Sequence, residues 1–342
     1  MYLKFRYTGG MDGATKVLIA GSAGFIGSNL MRLLLDLEIE VRGIDNYSSY
    51  YDQSMKILRE ESLGIKGRTT KLDITDRVKL TEFIGDYRPN VVINLAAQGG
   101  VRASKVQPIP YINDNQMGFL NILEVSREFD VKKFIFASSS SVYGDLLQAP
   151  FKETHQLTAP KSLYALSKLS NEIIARHFNA KQMSIIGLRF FTVYGPWSRP
   201  DMAMFRMLAS AKLNQVFNLT AATSVKRDFT YVDDVSQVMH QLLLKDFEFG
   251  KYEVFNVCGG KPYSLHDLFE ILKITYREID YVQKEQDELD VKLTHGSIEK
   301  LLNSGLSVPS TSLENGVRQT LEWFNSMSTE NILNWYNYSF TS

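Results

Sequence analysis

The chain has 342 residues, 44% hydrophobic and 22% charged, the make-up of a globular protein with room for one large or two smaller domains. Its 38 basic and 38 acidic residues cancel, which argues against a general nucleic-acid binder but leaves room for a local basic pocket. The single cysteine, Cys258, excludes an intrachain disulfide and a multi-cysteine zinc site and fits a reducing cytosol, and no apolar run is long enough to span a bilayer.

Residues 1–14 carry Lys4 and Arg6 without the apolar stretch of a secretory signal, so they read as a disordered leader or a start placed too early. Residues 16–20 predict a short buried strand. Gly21-Ser22-Ala23-Gly24-Phe25-Ile26-Gly27 follows, and then Leu30, Leu33, Leu34 and Leu35 at helical spacing. Strand, glycine turn and helix in that order make a phosphate site of a glycine motif. The glycines permit close approach of backbone to a pyrophosphate, and the helix N-terminus offers free N–H groups. The spacing is Gly-x-x-Gly-x-x-Gly, not the more familiar Gly-x-Gly-x-x-Gly.

A second strand over 40–44 ends at Asp45-Asn46, with Asp45 18 residues beyond Gly27. A carboxylate there accepts from a ribose 2′-hydroxyl and repels a 2′-phosphate, which favours NAD over NADP. A third strand over 68–72 ends at Asp73-Ile74, suited to an adenine edge. A fourth over 91–95 runs from Leu95 into Ala96-Ala97-Gln98-Gly99-Gly100, where small residues would let the backbone approach the dinucleotide.

Residues 113–128 place Asn115, Met117, Leu120, Ile122 and Leu123 at mixed helical spacing. A fifth strand over 132–137 opens into Ser138, Ser139, Ser140 and Ser141, a hydroxyl cluster at the strand end where open parallel sheets bind ligands. No proline or glycine interrupts 161–179, and Leu163, Leu166, Leu169, Ile173 and Ile174 recur at helical spacing. On that helix Tyr164 and Lys168 share a face. A nearby cation lowers a phenol from its usual pKa of ~10, so it can take a sugar-hydroxyl proton and return it. Tyr-x-x-x-Lys alone also arises by chance on amphipathic helices; its weight comes from the glycine turn and the serines.

A sixth strand spans 185–190. The alternation predicts an α/β fold, a Rossmann-type doubly wound parallel sheet. From Phe191 the order changes, starting with the proline-rich stretch Thr192 to Asp201. A strand near 252–257 is expected to return to the main sheet, 283–303 are charged and poorly patterned, and an amphipathic helix over 313–324 closes the chain. The expected organisation is a dinucleotide domain of residues 15–190 interleaved with a smaller C-terminal substrate-binding α/β lobe of residues 191–327.

Over about residues 15–327 the chain resembles the extended short-chain dehydrogenase/reductase family. The resemblance rests on Gly21/Gly24/Gly27, Asp45, Asp73-Ile74, Asn115-x-x-Gly118, the serine cluster, Tyr164-x-x-x-Lys168 and Arg227-Asp228-Phe229-Thr230. More narrowly, Ala96 to Arg102, Ser138 to Gly144 and Leu188 to Ala203 look like the NAD-dependent UDP-glucuronate 4-epimerases. The chain departs from that pattern at Ser198 (usually glycine), at Ala103 (usually tyrosine), before Arg227 (no glycine), and at Leu289 and Ser297.

The resemblance implies that Tyr164, helped by Lys168 and Ser139, removes the proton of the sugar 4-hydroxyl while NAD takes the C4 hydride. The 4-keto sugar turns, and both are returned on the opposite face. It implies cofactor contacts from Gly21, Gly24, Phe25, Ile26, Gly27, Asp45, Asn46, Asp73, Ile74, Leu95, Ala96 and Ala97, with Tyr164 and Lys168. Substrate contacts fall to Gln98, Arg102, Ser140, Ser141, Thr192 and Arg199, with Arg227 on the pyrophosphate. Related dehydratases carry Asp-Glu where Ser140-Ser141 stand, and related decarboxylases carry a glutamate in this cluster, where this chain has none. A UDP-hexose or UDP-N-acetylhexosamine 4-epimerase is the main alternative; a silent NAD sensor should have lost Tyr164 or Lys168. No metal, nucleic acid or membrane is implied. A cytoplasmic homodimer is, packed through residues 113–128 and 164–180.

Overall fold

The computed structural model describes residues 15–146, 148–157, 160–285 and 291–341; the expected leader and Leu289 lie outside them. The first half alternates strand and helix: β1 (Lys16–Ala20), α1 (Phe25–Asp36), β2 (Glu40–Asp45), α2 (Gln53–Ser62), β3 (Thr69–Lys71), α3 (Arg77–Tyr87) and β4 (Val91–Asn94). Two short helical turns follow, α4 (Ala103–Val106) and α5 (Ile109–Ile112), then α6 (Phe119–Glu128), β5 (Lys133–Ser139), α7 (Leu163–His177) and β6 (Ser184–Phe190). Beyond it lie β7 (Thr192–Tyr194), α8 (Ala203–Lys212), β8 (Phe217–Leu219), β9 (Lys226–Tyr231), α9 (Val232–Leu244), β10 (Tyr252–Val257) and β11 (Pro262–Ser264). The last described elements are α10 (Leu265–Thr275), β12 (Tyr281–Gln283), α11 (Glu299–Asn303), α12 (Leu313–Ser326) and α13 (Thr329–Thr341).

Among the described residues the main sheet runs β10-β6-β5-β4-β1-β2-β3, every pairing parallel. This is the doubly wound Rossmann order with β10 added beyond β6, and its order reverses between β1 and β4. Parallel strands covered on both faces lose polar alternation, and all of β6, Ser-Ile-Ile-Gly-Leu-Arg-Phe, is buried. One apolar layer packs Leu30, Ile135, Ile186 and Val238 under α1 and α9. The opposite layer packs Leu80, Phe119, Ile122 and Phe134 under α3 and α6. A third cluster joins Trp197, Phe205, Phe324 and Trp335 and takes in Tyr51 and Met55 from the segment after β2.

Two segments differ from the sequence expectation. Residues 113–128 are not one α-helix: Asn113–Gly118 is a π-helix leading into α6. Its wider turn shifts which residues face inward, which accounts for the mixed apolar spacing. The amphipathic helix α12 does not close the chain either. α13 follows it and buries Ile332, Trp335 and Tyr336. Trp335 Nε1 donates to Ser54 Oγ at 3.0 Å and the Tyr338 hydroxyl to the Ser49 carbonyl at 2.7 Å, so α13 lies against the segment between β2 and α2. Among the described residues no helix is long and apolar enough to cross a membrane.

Candidate active site

The glycine turn closes on itself at the C-terminal end of β1. Gly21 has φ +81°, and a Cβ on Gly27 would fall 2.2 Å from the Gly21 carbonyl oxygen, so both positions require glycine. Gly24 precedes α1 and no side chain caps the first turn, which leaves those N–H groups directed at the cavity in front of them. Gly21, Gly24, Phe25, Ile26 and Gly27 line this cavity together with Asp45, Asn46, Asp73, Ile74, Leu95, Ala96, Ala97 and Gln98.

Asp45 is more heavily engaged than the sequence indicates. It accepts from the backbone of Ala23 at 3.2 Å and of Tyr47 at 2.7 Å, and from Lys56 Nζ at 3.0 Å. It therefore ties the glycine turn to β2 and α2 as well as facing the cavity. Arg59, one turn along α2, donates to the Ala23 carbonyl, the Tyr51 hydroxyl and the Trp197 carbonyl. Lys56 and Arg59 are three residues apart on one helical face that the sequence analysis did not single out; two cations at that spacing just after an acidic strand end were the available signal. A turn that only glycine fits, uncapped helix N–H groups and a carboxylate one strand over fit a dinucleotide.

A second cavity, of about 490 Å³, adjoins the first and shares Phe25, Ile26, Leu95, Ala97 and Gln98 with it. Tyr164, Lys168, Ser139, Ser140 and Ser141 line it, with Arg102, Thr192, Arg199 and Arg227 from across the cleft. All the catalytic, cofactor and substrate residues expected from the sequence thus line one or other of two contiguous cavities.

The Tyr164 helix is set by its own start and by a buried network. Ser162 caps α7, accepting from Ala165 N at 3.1 Å. Glu172, two turns beyond Tyr164, takes Arg189 of β6 through bonds of 3.0 and 2.7 Å and also accepts from the Ser138 hydroxyl. Arg189 donates to the Tyr143 hydroxyl at 2.8 Å, and that hydroxyl donates to Asn256 of β10 at 2.7 Å. Ser138, next to Ser139, and the tyrosine helix therefore share one anchor.

Burial raises the Tyr164 phenol above its ordinary pKa, while the Ser139 hydroxyl bonded to it and the Arg199 charge pull it down. Lys168 Nζ donates to the Ala137 carbonyl at 2.9 Å and lies 5.9 Å from the Tyr164 ring centre. The sequence expectation gave the phenol's activating cation as Lys168; the Arg199 charge acts on the phenol in the same direction. Burial pushes Lys168 itself down to about 8. Gln98 bridges the cavities, donating to Asp114 at 2.7 Å and Ser48 at 3.2 Å. Arg227 donates to the Val291 carbonyl at 2.7 Å. Beside it, buried Asp228 takes the N–H groups of Gly259 and Gly296 at 2.8 and 3.1 Å, and burial raises its carboxyl to about 7. A third cavity, of about 430 Å³, adds Arg206 and Asn218 to Arg102 and Arg227, a basic lining whose Arg206 lay outside the sequence expectations.

Because Lys168 sheds its proton as pH rises through about 8, turnover is expected to fall above that pH, read from a kcat–pH profile. Lys168→Arg keeps its charge and should move the alkaline limb upward. The sign for stability is the reverse. Between about 8 and 10.5 the unfolded chain holds a proton on this amine that the folded chain has lost, so this group makes the fold more stable as pH rises across that window.

The model of the NAD dependent epimerase/dehydratase family matches residues 17–258. UDP-glucuronate 4-epimerase 3 of Arabidopsis thaliana is 34% identical over 326 residues, covering 90% of this chain and 76% of that protein. The structure of UDP-glucuronic acid 4-epimerase from Bacillus cereus, in complex with UDP-glucuronic acid and NAD, matches with a TM-score of 0.83 and 30% identity, covering 92% of this chain and 100% of that one. The UDP-glucose 4-epimerase of Thermus thermophilus, in complex with NAD, matches with a TM-score of 0.79 and 26% identity over 92% of this chain and 100% of that one. The chain belongs to the NAD dependent epimerase/dehydratase family and is an NAD-dependent enzyme.

Proposed function

We propose that the protein inverts C4 of a UDP-sugar, and that the sugar is glucuronate, interconverted with galacturonate. The observation that carries this reading is the second cavity. It sets Tyr164, Ser139 and Lys168 against a wall of hydrogen-bond donors, Ser140, Ser141, Thr192 and Arg199, suited to an anionic sugar. Similarity to the UDP-glucuronate 4-epimerases of Arabidopsis thaliana and Bacillus cereus supports it.

The lobe of residues 15–190 holds NAD through the glycine turn, Asp45-Asn46, Asp73-Ile74 and Leu95 to Ala97. The lobe of residues 191–327 holds the nucleotide, with Arg227 against the pyrophosphate and Arg102 of the first lobe facing it across the cavity. NAD, when bound, supplies the hydride acceptor for C4. Tyr164 Oη takes the 4-hydroxyl proton and returns it, Ser139 hydrogen-bonds the phenol, and Lys168 favours the charged states through its ammonium.

A 4-keto uronic acid is a β-keto acid and loses CO₂ when its carboxylate bond aligns with the carbonyl π system. Ser140, Ser141 and Thr192 hold the carboxylate out of that alignment. Among the described residues lining this cavity the carboxylate is that of Asp201, which pairs with Arg199. Among the described residues no other acid lines the cavity to drive the elimination of a dehydratase.

The partner proposed is a second copy of the chain. Val106, Ile109, Met117, Leu166 and Ile173, on α4, α5, the π-helix and α7, are 47% to 75% exposed, an apolar face where a monomer would carry charge.

Tyr164→Phe keeps the ring's packing and deletes the proton acceptor, so turnover of UDP-glucuronate should drop about 10²-fold or more with an unchanged melting temperature. Near-native activity would overturn the assignment. Thr192→Val should weaken UDP-glucuronate far more than UDP-glucose and release some decarboxylated UDP-pentose, as followed by chromatography of the products. Wild-type protein that turns over UDP-glucose well and UDP-glucuronate poorly would overturn the choice of sugar. Sedimentation should find a dimer, and Leu166→Glu with Ile173→Glu should give a monomer; a wild-type monomer at micromolar concentration ends the dimer reading.

A further inference from the structure

Tyr50 belongs to the segment between β2 and α2 that walls the first cavity, yet its side chain reaches the second lobe. Its hydroxyl donates to Asp201 Oδ2 at 3.2 Å. Asp201 in turn takes Arg199 in a fork, Nε and Nη2 each at 2.9 Å. The Arg199 guanidinium also lies 5.6 Å from the centre of the Tyr50 ring. One side chain therefore grips both members of the ion pair, the acid by its hydroxyl and the cation by its ring.

The seat for this arrangement is cut by two glycines. A Cβ on Gly99 would fall 2.3 Å from Arg199 Nη1, and a Cβ on Gly100 would fall 2.4 Å from the Tyr50 hydroxyl. Gly100 also has φ +96°, which L side chains rarely adopt. The sequence expectation gave this pair of glycines to the dinucleotide backbone; their open faces are filled by Arg199 and Tyr50. Arg199 lines both cavities, and Tyr50 the first. Burial works against the Arg199 charge, but Asp201 outweighs it and keeps the guanidinium protonated.

We propose that Tyr50 is a positioning residue: through Asp201 it fixes the Arg199 guanidinium on the Gly99–Gly100 shelf, at the junction of the cofactor and sugar cavities. The inference rests on the epimerase reading for the reaction, not for the identity of the sugar. Without the Tyr50 hydroxyl, Asp201 keeps the fork to Arg199 but the pair is free to rotate off the shelf. The oxidised sugar then turns beside a misplaced cation, and part of it escapes before the proton and hydride return.

The test uses the full chain with NAD and whichever UDP-sugar the wild type turns over fastest. Tyr50→Phe retains the ring and deletes the bond to Asp201. Expected are a fall in kcat of about tenfold, about the loss of one charge-assisted hydrogen bond, a KM within twofold, and an unchanged melting temperature. Reduced nicotinamide should accumulate several-fold more per turnover, seen by its near-ultraviolet absorbance. Gly99→Ala, which crowds Arg199 and leaves Tyr50 intact, should give the same leakage. Tyr338→Phe removes a bond to the same segment, at Ser49, without touching the ion pair, and should leave leakage at the wild-type level. Unchanged kcat and leakage in both Tyr50→Phe and Gly99→Ala, or equal leakage in Tyr338→Phe, would overturn the proposal. Loss of the epimerase reading shows separately, as activity surviving Tyr164→Phe.

Discussion

The buried pair of Arg189 and Glu172 is the constraint on which the geometry of the site depends. Both side chains are almost wholly shielded, at 1% and 2% exposure, so neither charge has water to fall back on. Such a pair adds little net stability over an apolar replacement, but losing one member strands the other, at a cost of about 3–5 kcal/mol. What it contributes here is geometry. Glu172 fixes the helix that carries Tyr164 and Lys168, Arg189 sits on β6, and the Ser138 hydroxyl is drawn into the same carboxylate. The helix is thereby locked to the serine strand through the sheet strand beside it. The link continues through Tyr143 and Asn256 to β10, so the strand that returns from the far end of the chain is part of the same network.

A second constraint comes from how the two lobes share walls. Lys56 and Arg59 of α2 bind, respectively, the acid at the end of β2 and the Trp197 carbonyl of the second lobe. The cofactor cavity is thus framed partly by residues outside the Rossmann sheet, and the sugar cavity partly by residues of the glycine turn. A dinucleotide and a sugar nucleotide lying in adjoining cavities would meet over the serine cluster at the end of β5, near the middle of the sheet, in keeping with the habit of open parallel sheets to bind ligands at strand C-termini.

Much of this was legible in the sequence because it is local. The run Lys16 to Ala20, the turn at Gly21, Gly24 and Gly27, and the serines after β5 each announce their own conformation, and the Tyr164–Lys168 spacing depends only on helical pitch. The π-helix at Asn113–Gly118 was visible only as irregular spacing, because a one-residue widening leaves no composition signal. Tyr50, Lys56, Arg59 and Asp201 were harder to read. Arg59 meets Ala23 and Tyr50 meets Asp201 across 36 and 151 residues, and an exposed-looking Tyr-Tyr-Asp sequence gives no hint of either. The same holds for the electrostatics: spacing puts a lysine beside the phenol, and burial and an arginine from a later loop also act on it. α13 was overlooked for a related reason. It carries Ile332, Trp335 and Tyr336, but their value appears only when Trp335 meets Ser54.

That contact has a consequence for how the protein is made. Trp335 and Tyr338 close on Ser54 and Ser49 across sequence separations of 281 and 289 residues. At ribosomal rates of about 5–20 residues per second, the early βα units wait roughly 15–60 s for the helix that completes their wall. The nascent chain therefore spends most of its synthesis with the segment between β2 and α2, which walls the first cavity, not yet backed by α13.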